Sequence, residues 1–261
     1  MSGFFSQSRF DVRLEWGIQA VELMAQDVDC VVIVDVMSFA TCVSVALSRG
    51  AVVYPYPWKD DRVQQYAETF GAVAANANRR FAGEGYSLSP ASLAALNPGT
   101  KLVLPSPNGS ALAFKARESG AVVYAGCLRN LTATADACNG YKKILIVAGG
   151  EKWPDGSLRP ALEDWVVAGG IASLFSGKTL SPEALAAAAC YRTLPINILF
   201  ECSSARELIE RGFAKDVELC LTLDAEKDAS RLQDNYFIYT DPAAAALSAT
   251  KEPVVTSPAR R

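Results

Sequence analysis

The sequence predicts an α/β protein, a three-layer α/β/α sandwich around a largely parallel sheet. Short apolar runs rich in β-branched residues alternate with longer helical patterns, an alternation that is typical of α/β folds. The run at 31–36 is almost entirely apolar, and similar runs follow at 101–104 and 144–148. Strands this apolar are usually buried on both faces, as in a parallel sheet covered by helices.

An internal repeat supports the same fold class. Residues 31–56 and 101–126 align without a gap at an offset of 70, and residues 50–54 and 120–124 share the sequence Gly-Ala-Val-Val-Tyr. Each copy predicts a strand, a polar loop, a helix and a second strand, with the glycine suited to the positive φ of a helix C-terminus. The chain therefore predicts an internally duplicated pair of β-loop-α-β units.

No linker divides the chain, so a single domain is expected over residues 1–246. Helical patterns continue at 162–175, 181–189 and 203–211. Residues 247–261 are rich in Pro, Ser and Arg, which predicts a flexible C-terminal tail.

Composition excludes several classes of function. The chain has no histidine, which excludes Ser-His-Asp triads and histidine-bound zinc. The net charge is −3 without a basic run, which argues against nucleic-acid binding. No apolar segment of transmembrane length and no signal-peptide core are found, and the seven scattered cysteines indicate buried thiols in a reducing compartment. We therefore expect a cytoplasmic protein without membrane contact; a homodimer is left open.

Ligands of open α/β sheets bind outside the carboxyl ends of the strands, so the loops there hold the candidate residues. Asp35 ends the first apolar strand, where a carboxylate is costly unless it is paired or metal-bound. It is a candidate Mg²⁺ ligand or phosphoryl-accepting nucleophile; the alternative is a helix N-cap. Ser38 and Thr41, which follow it, are candidate phosphate contacts.

The loop after the second strand is small and polar and precedes a helix, as in anion-binding turns. Its candidate phosphate-binding residues are Ser106, Asn108, Gly109 and Ser110. A simple capped turn is the alternative. Arg129 and Asn130 follow the second repeat and are further candidates for phosphate binding, although a solvated turn explains them equally well.

Three further acidic residues could complete the site. Glu151 ends the loop after the third strand, while Glu163 and Asp164 open the next helix. Acidic residues are common in a first helical turn for dipole reasons alone, but here they could also complete a metal site. Glu84, which follows Arg79 and Arg80, is a candidate general base or part of a surface turn.

Five segments, taken in order, resemble the 2-phosphosulfolactate phosphatases of coenzyme M biosynthesis. They are VDVMSFAT at Asp35, GEGYSLSP at Glu84, SPNGSAL at Asn108, VAGGE at Glu151 and ALEDWVVAGG at 161–170. The likeness extends from about residue 16 to about residue 216. It implies an α/β/α fold, dependence on Mg²⁺ and hydrolysis of a phosphate ester on a small acid.

One position departs from the pattern of the family. Many members carry Arg three residues after the strand-end Asp, whereas this chain has Ser38. A guanidinium that could clamp a phosphate or an acid group is missing there. The substrate could therefore be another phosphorylated hydroxy acid.

These observations lead to one hypothesis and two rivals. We expect Mg²⁺-dependent hydrolysis of a phosphate monoester, with Asp35 and Glu163 or Asp164 holding the metal and Glu84 or Glu151 as general base. The first rival is a metal-dependent lyase or isomerase of phosphorylated acids. The second is a non-catalytic protein that binds an anion or metabolite.

Overall fold

The computed structural model describes residues 3–79 and 85–240. The strands are β1 (Val12–Trp16), β2 (Cys30–Val34), β3 (Val52–Tyr56), β4 (Val73–Ala74), β5 (Lys101–Pro105), β6 (Val122–Gly126), β7 (Ile144–Ala148), β8 (Glu151–Lys152), β9 (Leu158–Arg159), β10 (Ala229–Gln233) and β11 (Tyr236–Thr240). The α-helices are α1 (Gly17–Met24), α2 (Phe39–Ser48), α3 (Arg62–Phe70), α4 (Pro90–Leu93), α5 (Gly109–Arg117), α6 (Leu131–Cys138), α7 (Leu162–Ser173), α8 (Pro182–Thr193), α9 (Ser203–Glu210) and α10 (Ala214–Cys220). Short 3-10 helices lie at Phe4–Ser6, Ala25–Asp27, Leu128–Asn130 and Ile196–Glu201. The predicted tail at 247–261 lies outside the described residues.

A mostly parallel sheet forms the middle layer, as the sequence predicted. Its nine strands have the order β1-β7-β2-β6-β10-β11-β3-β5-β4. Strands β1, β7, β2 and β6 are parallel to one another, and so are β3, β5 and β4. The antiparallel hairpin β10–β11 joins the two parallel blocks.

The repeat in the sequence corresponds to two copies of the same unit. The first copy is β2-α2-β3 and the second is β5-α5-β6; α5 and β6 begin 70 residues after α2 and β3. The first strand of each copy pairs in parallel with the second strand of the other, β2 with β6 and β3 with β5. The copies are therefore interlocked, and each helix connects one parallel block to the other.

Helices cover both faces of the sheet because the central strands are apolar on both. In β2, Val31 and Ile33 pack in a cluster with α1, α2 and α5, whereas Val32 and Val34 pack in a cluster with α6, α7 and α8. All four side chains are fully buried. The seven cysteines are free thiols, and six of them are buried.

The helices of the described ranges, 3–79 and 85–240, were also compared with the length and hydropathy of membrane spans. None of them is long and apolar enough to cross a bilayer.

Candidate active site

Asp35 lies directly beyond the carboxyl end of β2, between the first turns of two helices. Its Oδ1 accepts a hydrogen bond from the backbone N–H of Phe39 in α2 at 3.1 Å, and its Oδ2 accepts one from Gly109 in α5 at 2.9 Å. The side chain is almost completely buried. Burial raises the pKa of Asp35 to about 6, although the two N–H groups and the guanidinium of Arg79 act in the opposite direction.

Asp164 joins the ends of the two neighbouring strands β2 and β7. Its Oδ1 accepts the N–H of Val36 and its Oδ2 that of Gly150, both at 2.8 Å. Gly149 separates the two acids, because a Cβ there would lie 3.3 Å from the Cβ of Asp35 and 3.6 Å from the Oδ2 of Asp164. Burial, followed by the charges of Glu163 and Asp35, raises the pKa of Asp164 well above its usual value. Asp35 and Asp164 therefore lie close together, and the negative charge of Asp35 disfavours ionisation of Asp164.

Glu163 is the third buried acid at this edge of the sheet. It stands in the first turn of α7 and is only 2% exposed. The thiol of Cys202, just before α9, donates a hydrogen bond to its Oε2 at 3.2 Å. Its negative charge raises the pKa values of Asp35 and Asp164. The short first turn of one helix thus brings two adjacent carboxylates to the rim.

Glu151 is connected to the loop of the second repeat through Asn108. The side-chain amide of Asn108 donates to the Oε2 of Glu151 at 3.2 Å and to the carbonyl of Gly150 at 3.3 Å. Burial, followed by the charges of Asp35 and Glu163, raises the pKa of Glu151 to about 7. An acid with this pKa exchanges protons readily near neutral pH.

A cavity of about 510 Å³ opens beside this pair of residues. Its lining includes Asn108, Gly149 and Glu151, residues of α1, and residues 156–158. Its volume lies within the range of sites that bind small molecules. The cavity therefore places Glu151 and Asn108 where a small substrate can reach them.

A positive charge approaches Asp35 from the side of Ser38. Arg79 donates from Nη2 to the hydroxyl of Ser38, and its Nη1 forms an ion pair of 2.6 Å with the Oδ2 of Asp216. The positive charge of Arg79 lowers the pKa of Asp35. Ser38 is thus in contact with a guanidinium from a distant part of the chain.

Three further candidates, Thr41, Ser106 and Ser110, make hydrogen bonds to the backbone. Thr41 and Ser110 are fully buried, and their hydroxyls donate to the carbonyls of Val36 and Leu104 at 2.8 Å. Ser106 is buried and extends the ladder of β5 through its N–H to the carbonyl of Tyr56. The hydroxyls of Thr41 and Ser110 thus hold the starts of α2 and α5, whereas Ser106 contributes its backbone N–H at the end of β5.

Arg129 and Asn130 contact a different part of the molecule. Arg129 forms an ion pair of 2.7 Å with Glu226. The amide of Asn130 is fully buried; it accepts the N–H of Cys127 and donates to Ala125 and Ser230. Both side chains thus stabilise the turn after β6 rather than the Asp35 rim. Glu84 lies outside the described residues.

The sequence predicts a Mg²⁺ site among the acids at this edge of the sheet. Within residues 3–79 and 85–240, no three Asp, Glu or Cys side chains are placed to hold one metal ion together. The donor chemistry nevertheless suits a hard cation: carboxylate oxygens are the ligands Mg²⁺ prefers, and those of Asp35, Glu151 and Asp164 have raised pKa values. Each carboxylate oxygen that accepts one N–H keeps a second lone pair. Mg²⁺ usually takes only one or two protein carboxylates and completes its shell with water and substrate phosphate.

Three neighbours of the acids are not evident from the sequence. Arg79 contacts Asp216 over 137 positions, and Cys202 reaches Glu163 from another helix. Arg159 lowers the pKa of Glu151 and donates to Ser204. Only the basic character of Arg79, just ahead of the Glu84 segment, offers a signal for one of them.

Comparison with known proteins gives a consistent result. The family model described as 2-phosphosulpholactate phosphatase matches residues 19–235. Two curated relatives, each named "Probable 2-phosphosulfolactate phosphatase", come from Thermotoga petrophila and Thermotoga maritima. Each is 26% identical over 230 residues, which cover 85% of this chain and 97% of the relative. The chain therefore belongs to the 2-phosphosulfolactate phosphatase family.

Proposed function

We propose that this protein is a Mg²⁺-dependent phosphatase that hydrolyses the phosphate monoester of a small hydroxy acid, 2-phosphosulfolactate or a close relative. The observation that carries the proposal is the group of four acids at one edge of the sheet: Asp35, Glu151, Glu163 and Asp164. Burial and mutual repulsion raise the pKa of three of them. Perturbed acids of this kind cluster at functional sites.

The metal would be held by Asp35 and Glu163. Asp164 accepts one N–H at each oxygen, as Asp35 does, but its two donors belong to the ends of two different strands, β2 and β7, so we assign it to positioning the site first and to ligation second. When bound, Mg²⁺ would neutralise phosphate charge and promote attack on phosphorus. The cation would also offset the repulsion among the acids.

The chain's own groups supply the remaining chemistry. The first turns of α2 and α5 converge on Asp35, and their dipoles favour an anion there. Glu151, held by Asn108 through Oε2, would accept the proton of the attacking water at Oε1. As the ester P–O bond breaks, a pKa of about 7 allows the same carboxyl to give that proton to the oxygen of the departing hydroxy acid.

The substrate class follows from the family and from the cavity. The relatives are named for 2-phosphosulfolactate, a small acid, and the cavity of about 510 Å³ would accommodate a molecule of that size. Ser38 stands where many members have Arg, so we include related phospho-acids in the proposal.

The test is release of inorganic phosphate from a panel of phospho-acids that includes 2-phosphosulfolactate, phospholactate and phosphoglycerate. We expect release with Mg²⁺, none with EDTA, and a loss of at least about 100-fold in Asp35→Asn. The matched control is Asp136→Asn, which neutralises an exposed carboxylate on α6 and should retain full activity.

Two outcomes would overturn the proposal in favour of its rivals. Consumption of the phospho-acid without free phosphate would indicate a lyase or an isomerase. Thermal stabilisation by phospho-acids without any turnover would indicate a binding protein. Full activity of Asp35→Asn would remove the central residue from the mechanism.

A further inference from the structure

The side chain of Arg79 is mostly buried, although its charge has only one acidic partner in direct contact within the described ranges. Its side chain is 12% exposed, and the Asp216 partner is 1% exposed. The guanidinium also lies 6.0 Å from the centre of the Phe213 ring. Placing a long cationic side chain in this position costs side-chain entropy and hydration, so we expect a further favourable interaction that offsets this cost.

Asp216 fixes one end of the guanidinium and accepts two further hydrogen bonds. Its Oδ1 accepts the hydroxyl of Ser89 at 2.7 Å and the N–H of Ala91 at 2.9 Å, while its Oδ2 accepts Arg79. The network anchors the loop before α4 to α10. Nη1 is thereby fixed, and Nη2 is directed towards Ser38.

The position of Ser38 makes this contact unusual. Ser38 immediately precedes α2, yet its side chain caps no backbone N–H of that helix, whereas serine at this position normally does so. Asp35 accepts the first N–H instead. The hydroxyl of Ser38 is therefore left to accept from Arg79.

Electrostatics adds a second reason to expect an anion here. The N-terminus of α2, which is ten residues long, carries a partial positive charge. A guanidinium beside it is unfavourable unless an anion lies close to both. Asp35 supplies part of that negative charge, and its pKa is lowered by Arg79. A bound oxyanion would supply the rest and would match the planar donors of a guanidinium.

We propose that Arg79, held by Asp216 and directed over Ser38, binds the phosphate oxygens of the substrate. This inference rests on the proposed function for the identity of the substrate, but it concerns binding of a phosphate group and can be measured without turnover.

The first experiment compares wild type, Arg79→Gln and Arg129→Gln by calorimetric titration with inorganic phosphate in the presence of Mg²⁺. Arg129 is the matched control, because its ion pair with Glu226 has similar burial, 10% and 17% exposed. We expect Arg79→Gln to weaken phosphate binding at least about 10-fold and Arg129→Gln to change it less than about twofold. Equal losses in both variants, or no loss in Arg79→Gln, would overturn the inference.

A second pair of variants leaves the Arg79–Asp216 pair intact. Ser38→Asp places a carboxylate against Nη2 and also provides a favoured helix N-cap, so the fold should be retained. Ser38→Asn has the same size without the charge. We expect phosphate affinity to be at least about 10-fold lower in Ser38→Asp than in Ser38→Asn; equal affinities would overturn the inference even if Arg79→Gln failed to fold.

Kinetics separate this inference from the proposed function. If wild type releases phosphate from a phospho-acid, Arg79→Gln should raise its KM by at least about 10-fold, and Arg79→Lys should recover part of the loss. If wild type turns over none of the panel but still binds phosphate through Arg79, the proposed function fails while the inference stands.

Discussion

Gly109 donates its backbone N–H to the Oδ2 of Asp35 at 2.9 Å, across 74 positions of sequence. Phe39, which is the equivalent of Gly109 in the other copy of the repeat, donates to Oδ1 at 3.1 Å. One carboxylate thus bridges corresponding N–H groups of two interlocked units. The duplication thereby places two helix N-termini at the same point, which is where a phosphate would be favoured.

This bridge leaves no room for a side chain at position 109. In Gly109→Ala the new Cβ would overlap the ring of Phe39 and lie 2.6 Å from the Oδ2 of Asp35. We expect α5 to shift, the hydrogen bond to lengthen and phosphatase activity to fall at least about 10-fold, with a loss of about 1–3 kcal/mol in the free energy of unfolding. Phosphate release and urea denaturation measure the two effects.

Gly3→Ala is the control for that change, because among the described residues no heavy atom beyond its chain neighbours lies within 4 Å of its added Cβ and its φ of −85° suits any residue. Activity and stability of this variant should match wild type. Wild-type activity in Gly109→Ala would mean that the Asp35–Gly109 contact has no part in catalysis.

Repulsion among the acids predicts a pH-dependent gain in stability for Glu151→Gln. The pKa of Glu151 is about 7 in the folded protein, against an ordinary value of 4.5. Between about pH 4.5 and pH 7 the unfolded chain releases this proton while the folded protein keeps it, so wild type loses stability as pH rises. Without Mg²⁺, the free energy of unfolding of the variant should exceed that of wild type by about 2 kcal/mol at pH 8 and by little at pH 4.

Urea denaturation at the two pH values checks this expectation. Gln can still accept the hydrogen bond from Asn108, so the comparison isolates the charge. Glu218→Gln, at an exposed position on α10, should show no such pH-dependent difference. A stability difference that is the same at pH 4 and pH 8 would contradict the assignment of a raised pKa to Glu151.

The fold was largely predictable because its signals are local. The apolar run of β2 is buried on both faces, and the glycine before each second strand of the repeat has positive φ, as at Gly50 and Gly120. The β10–β11 hairpin was not predicted. Strand β10 mixes Arg, Ser and Gln with apolar residues, so no unbroken apolar run identifies it. Strand β11 is rich in aromatic residues, which favour a strand, and this signal was missed.

The candidate site was predictable only as far as strand ends identify it. Asp35, Asn108, Glu151 and the Glu163–Asp164 pair all lie in short segments or first helical turns that come after the apolar strands β2, β5 and β7, and the strand-end rule predicts them at one edge. Arg79 could not be assigned, because its contacts with Ser38 and Asp216 depend on tertiary packing. Asn130 looks like a phosphate donor in the sequence, yet its amide is used entirely within a buried turn.

The proposed metal ligands predict how Mg²⁺ should affect thermal stability. Mg²⁺ stabilises the folded protein by binding to it and offsets repulsion that involves Glu163, whose charge raises the pKa of Asp35 and Asp164. We expect millimolar Mg²⁺ to raise the unfolding temperature of wild type by a few degrees and that of Glu163→Gln by less than half as much. An equal shift in both proteins would exclude Glu163 as a ligand.

Asp164 should behave as a structural acid as well as a member of the site. Both of its oxygens accept buried backbone N–H groups, from Val36 and Gly150. Asn at this position presents one NH₂ group to one of those donors, which leaves a buried N–H unsatisfied. We expect Asp164→Asn to lower the free energy of unfolding by about 1–3 kcal/mol at pH 5, where relief of repulsion contributes least. Asp136→Asn provides the exposed control in the same urea titration. If Asp164→Asn unfolds at the same urea concentration as wild type, the two strand ends do not depend on this carboxylate.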